Sequence, residues 1–179
     1  SESVRIGRHR VSTVCSCAPL AKERFGTRRK MNKAFVREPD DTGAAHCPRC
    51  GSLGHPVESA TLDALLSAEA RGSLSDAGFF CPFPRCDVAY FDRFERTAPV
   101  AALVRPVYPK DPSAPLCGCF GLTADDIEAD IAEGKPTRVR AHLARAKSAD
   151  AHCQTASPTG ESCVAEVQRY YMRLWQGGD

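Results

Sequence analysis

Ten cysteines in a chain of 179 residues constrain what it can fold into more than any other feature. They fall into five close pairs: Cys15/Cys17, Cys47/Cys50, Cys81/Cys86, Cys117/Cys119 and Cys153/Cys163. The density is high for a globular protein yet below the roughly 8–10% of short disulfide scaffolds, so metal ligation competes with cross-linking. The opening SESVRIGRHR lacks the apolar run of a secretory signal, and no stretch approaches the ~18 apolar residues of a membrane span. The expected setting is therefore the cytoplasm, without a membrane span, where thiols stay reduced and clustered cysteines bind metals.

Charge divides the chain. The formal net charge is only +2, yet residues 1–40 carry ten Lys/Arg against Glu2, Glu23, Glu38 and Asp40, a net of +6 that leaves −4 for the remainder. A basic N-terminal arm over 1–41 is expected, joined to a mildly acidic body at Asp40-Asp41-Thr42-Gly43. From His46 to about Arg105, short apolar runs alternate with Gly and Pro. Phe79, Val88, Tyr90 and Phe94 favour strands, and Leu62, Leu65 and Leu66 predict a helix over 59–68. Residues 105–115 hold four prolines and read as a linker between modules. Beyond it the apolar period becomes helical. Thr123 is placed to cap a helix over 124–132, Thr137 one to about 149, and a third is predicted over 162–175. The expected fold class is α+β, with a small zinc-ribbon β-hairpin module over 42–105 and a three-helix module over 106–179.

The chemistry sits in two cysteine sets. In Cys47-Pro48-Arg49-Cys50-Gly51, two intervening residues let both thiolates meet one tetrahedral ion. Cys81 and Cys86 form a looser knuckle on the next hairpin, completing four sulfurs, the closed ligand set of a structural zinc. A mononuclear iron in the same sulfurs and a redox-active CxxC are the competing readings. The latter lacks its βαβ context. The second set is Cys117-Gly118-Cys119, Cys153 and Cys163. Read as an extended CxC, it points both sulfurs the same way toward one iron of a diiron cluster, with Cys153 and Cys163 on the other. A second zinc is the alternative there.

These motifs carry a resemblance. Cys47-Pro-Arg-Cys50-Gly, the run from Phe79 through Cys81-Pro-Phe-Pro-Arg-Cys86 to Phe91, and Cys117-Gly-Cys119-Phe-Gly followed by Cys153 and Cys163 are similar to the N-terminal domain of CopZ-type copper chaperones. That family joins a zinc ribbon to a [2Fe-2S] module like bacterioferritin-associated ferredoxin. The resemblance covers about residues 46–176. It implies zinc at Cys47, Cys50, Cys81 and Cys86, and a [2Fe-2S] cluster at Cys117, Cys119, Cys153 and Cys163. Full-length members carry a further domain with a Met-x-Cys-x-x-Cys copper motif, which is not among these residues; Met31 and Met172 neighbour no cysteine.

Cys15 and Cys17 remain as a candidate Cu(I) pair on the basic arm, against the reading of two free thiols. His46 and His152 adjoin ligand cysteines, but four sulfurs already complete each site; His9, His55 and His142 are read as surface residues. The aromatic run near Phe79 is read as core rather than as a base-stacking platform. No phosphate loop, Ser-His-Asp order or HExxH pair appears, so no catalytic residue is assigned and the chain is read as non-catalytic or as an auxiliary metal reductase. The expectation is a zinc- and [2Fe-2S]-binding electron-transfer protein serving a redox or copper-trafficking partner. The rivals are a zinc-ribbon module binding nucleic acid or a protein assembly through its arm, and an iron-sulfur sensor or cluster donor.

Overall fold

A computed structural model describes residues 43–177. The expected basic arm, with Cys15 and Cys17, lies outside the described residues, and so does His9. Four short strands, β1 (His55–Val57), β2 (Gly78–Phe80), β3 (Val88–Phe91) and β4 (Thr97–Pro99), form an antiparallel meander in chain order. Six helices accompany them: α1 (Ser59–Leu65), α2 (Ala68–Ser73), α3 (Ala124–Ala132), α4 (Thr137–Arg145), α5 (Cys153–Ala156) and α6 (Val164–Gln176). The fold is thus α+β, and among the described residues no helix is long and apolar enough to cross a membrane.

The alternation of a strand puts β2 and β3 to work on both faces. Phe80 pairs with Tyr90 across the strands and packs with Leu62, Leu65 and Leu66 in the core beneath α1. Phe79 pairs with Phe91, their rings stacked at 5.5 Å, and joins Cys47, Cys81, Cys86 and Val88 in a separate cluster on the other face. The sheet therefore separates an ordinary hydrophobic core from a cysteine-rich one. Phe94, read as a strand residue, falls in the turn after β3 and is largely exposed.

The single helix expected over 59–68 is broken. Leu66 is extended and bridges to Leu103, while the Ser67 hydroxyl accepts from the Ala70 amide and starts α2. A buried tertiary pairing outweighs the helix propensity of two adjacent leucines. In the second half, α3 begins and ends where the spacing predicts, on a reciprocal capping box between Thr123 and Asp126. α4 starts differently. Thr137 is its first residue rather than its cap, and the amides of Arg138 and Val139 are received by the buried carboxylate of Asp130 from α3. α6 lays Val167 against Ile127, Val139, Leu116 and Leu122. Between α4 and α6, the polar stretch that begins at Cys153 opens with the one-turn helix α5.

Residues 105–115 are also more than a spacer. Val107 and Ala114 are buried, and Lys110 donates through Nζ to the carbonyls of Phe83 (2.8 Å) and Cys86 (3.2 Å). Further bonds cross from the sheet half to the α5 segment: Thr61 Oγ1 to the Gln154 carbonyl at 2.7 Å, the Tyr90 hydroxyl to the Pro158 carbonyl at 2.8 Å, and Arg105 Nη2 to the Thr155 carbonyl at 2.7 Å. Residues on both sides of the proline-rich stretch belong to one compact unit.

Candidate metal centres

The first centre is assembled from two tight turns. In Cys47–Ser52 the Gly51 amide donates to the Cys47 carbonyl and the Cys47 amide to the Ser52 carbonyl, both at 2.8 Å, with Gly51 at φ +74°, a conformation that favours glycine. The second turn, Cys81–Cys86, leaves β2 and is closed by a bond from the Cys86 amide to the Phe83 carbonyl. The four sulfurs of Cys47, Cys50, Cys81 and Cys86 lie within 4.8 Å of one another; Cys47 and Cys86 are 3.9 Å apart, Cys50 and Cys81 3.5 Å. A tetrahedron with ~2.3 Å metal–sulfur bonds has edges of about 3.8 Å, so the cage has the size of a single tetrahedral ion.

The thiols of the cage differ in acidity. Burial pushes the Cys81 thiol up to about 12 and raises Cys86 as well. At Cys50 burial acts in the same direction, but hydrogen bonds to Ser52 and the neighbouring thiols bring it down to about 6. The Lys110 ammonium, seated on the carbonyls of the second turn, places positive charge beside a site that becomes anionic when four thiolates gather. Lys110 was not legible as a site residue, because it lies in the proline-rich stretch away from every cysteine.

The second centre repeats the first turn in a different guise. The Gly121 amide donates to the Cys117 carbonyl (2.8 Å), the Cys117 amide to the Leu122 carbonyl (3.3 Å), and Gly121 sits at φ +73°. Cys117-Gly118-Cys119 is therefore a turn, not the extended segment expected, and its two sulfurs diverge. The sulfurs are brought together in other pairs than Cys117 with Cys119 and Cys153 with Cys163. Cys119 Sγ lies 3.7 Å from Cys153 Sγ, and Cys117 Sγ groups with Cys163 Sγ. Cys117 and Cys163 are buried, whereas Cys119 and Cys153 are half-buried. Gly118 makes this approach possible, since a Cβ there would stand 2.2 Å from the Ala156 carbonyl oxygen of α5.

His142 joins this centre, against the expectation of a surface histidine. Its Nε2 is 3.5 Å from Cys163 Sγ, it is grouped within 4.8 Å with Cys117 and Cys163, and only 4% of the residue is exposed. The available signal was helical: His142 follows the buried Val139 by three positions on α4. A hydrogen bond from the Cys163 thiol, aided by His142 and the Phe120 amide and opposed by burial, draws Cys117 down to about 4. The same bond and burial raise Cys163, and burial raises Cys119 to about 11. His46, His55 and His152 are exposed and belong to neither cluster, and all eight described cysteines are free thiols.

Comparison with known proteins falls on the same residues. Residues 44–103 match the family model zf_CopZ, a zinc binding domain. The segment contains all four sulfurs of the first cage, so the match and the geometry together support zinc there. The X-ray structure of the Archaeoglobus fulgidus CopZ N-terminal domain is similar at a TM-score of 0.59 and 20% identity, over 70% of this chain and 96% of that one. The shared fold reaches beyond the zf_CopZ segment and into the helical half. No curated protein matches the chain.

Proposed function

We propose that this chain is a two-centre redox protein of metal handling: a structural zinc holds the module over 42–105, and a [2Fe-2S] cluster in the module over 106–179 carries one electron at a time. The observation that carries the reading is the split of eight cysteines into two differently shaped sets. The first is a closed cage for one ion. The second consists of two sulfur pairs, Cys119/Cys153 and Cys117/Cys163, each suited to two ligands on one iron. The absence of a side chain at Gly118 lets the turn that carries Cys117 and Cys119 pack directly on the Ala156 carbonyl of α5, the helix that begins at Cys153. A cluster held there supplies one-electron transfer. This chain's own part is to hold the buried pair in the α3–α4–α6 core, and to leave the half-buried Cys119/Cys153 side toward solvent, where a partner's redox group would approach.

Copper enters through likeness alone. The fold of a CopZ N-terminal domain and the zf_CopZ segment favour a copper-trafficking protein as the partner that receives or supplies the electron. The reading is tested by reducing the anaerobically purified chain and titrating it with oxidant under EPR. A one-electron couple with the rhombic signal of a reduced [2Fe-2S] cluster, lost in Cys119→Ser and in Cys163→Ser, is the expected result. A chain with no paramagnetic reduced state contradicts it.

A further inference from the structure

We infer that His142 is a hydrogen-bond donor to the second centre, giving its Nε2–H to the thiolate of Cys163 and thereby setting the potential of the cluster. The inference rests on the [2Fe-2S] reading above. Among the described residues, the side-chain nitrogen Nδ1 of His142 is the one fully buried polar side-chain atom with no partner. An imidazole with one nitrogen aimed at sulfur and the other left without a bond is a poor filler for an apolar slot, because the unpaired nitrogen loses its water and gains nothing. A phenyl or leucyl group would fill the same space without that loss. The ring is placed by Phe120 on one side and by the Cys163 sulfur on the other. Phe120 meets it edge to face at 6.1 Å and is itself covered by Arg145 at 4.3 Å, while Val139, also buried, lies three positions earlier on α4. The Phe120 contact comes from the same turn that carries Cys117 and Cys119. The ring thus faces the buried sulfur pair, Cys117 and Cys163.

The consequence is directional. Reduction adds one negative charge to a cluster already bearing four thiolates, so a donor bonded to one thiolate stabilises the reduced state more than the oxidised one and raises the potential. His142 is not needed as an iron ligand, since Cys117 and Cys163 already supply two sulfurs to that side.

The test uses the full chain, purified anaerobically with its cluster. In 15N-histidine-labelled protein, pulsed EPR of the reduced state should show one weakly coupled imidazole nitrogen. The midpoint potential should fall in His142→Phe and recover most of that shift in His142→Gln, which keeps an N–H donor of similar reach. No nitrogen coupling in the native chain, or the strong coupling of a nitrogen bound to iron, overturns the inference whether or not the variants hold their clusters. An unmoved potential in His142→Phe, or an equal fall in both variants, overturns it too. A native chain lacking iron and acid-labile sulfide overturns the cluster reading itself and is distinguished from these outcomes by elemental analysis.

Discussion

At the scale of single residues, two positions carry more than their chemistry alone suggests. Gly118 is required by contact: any Cβ there collides with the Ala156 carbonyl. Gly118→Ala should separate Cys119 from Cys153, lower cluster retention and cost about 1–3 kcal/mol of stability, read by iron content and denaturant titration. Asp130 is a buried carboxylate that accepts from the amides of Arg138 and Val139 and from the Arg138 guanidinium at 3.0 Å. Burial opposes its ionisation, but these donors outweigh it and hold the carboxyl below the usual range, and Asp92 is held low in the same way by Arg96 and the amides of Ser75, Phe94 and Arg96. A carboxylate lowered in the folded state contributes its stability above the ordinary aspartate pKa and loses it as pH falls through the folded value. Asp130→Asn should therefore destabilise the protein by about 1.5–3 kcal/mol at neutral pH and flatten its acid unfolding below about pH 4, measured by thermal melts across pH. The grouping of the cysteines into two sets was legible because metal binding demands fixed thiol spacings. His142 was not, because a lone histidine in an Arg/Ala-rich helix has no partner spacing, and only the packing of α4 on the Cys117 turn buries it.

At the scale of elements, legibility followed local capping. α3 was readable to its ends because Thr123 and Asp126 cap it from within the chain segment itself. The break at Leu66 was not, since it depends on a bridge to Leu103 nearly forty positions away. The Cys117 turn was misread for a similar reason: a CxC written beside glycines fits an extended strand or a knuckle equally well, and the Cys117–Leu122 backbone bonds decide for the knuckle. Two element-level contacts make testable claims. Lys110→Ala removes the cation seated on the Phe83 and Cys86 carbonyls, and should weaken zinc retention severalfold in a chelator competition while leaving the four sulfurs intact. Tyr90→Phe leaves the Pro158 carbonyl without its donor and should cost about 1 kcal/mol, seen as an earlier denaturation midpoint with an unchanged slope.

At the scale of the molecule, the sheet half and the helical half share hydrogen bonds from Thr61, Tyr90, Arg105 and Lys110, so neither centre stands on an independent scaffold. Removing zinc should therefore loosen the second centre as well: chelation of the first site is expected to bleach a cluster that survives in untreated protein, followed by visible absorption. Reading residues 105–115 as a linker missed this coupling, because prolines report local stiffness and say nothing of Val107 and Lys110 packing back onto the sheet half. The central claim is that one fold holds two unlike centres in its eight body cysteines. Elemental and acid-labile sulfide analysis of the anaerobically purified chain tests it most directly. The account predicts about one zinc, two irons and two sulfides per chain, and about two zincs with no sulfide would contradict it.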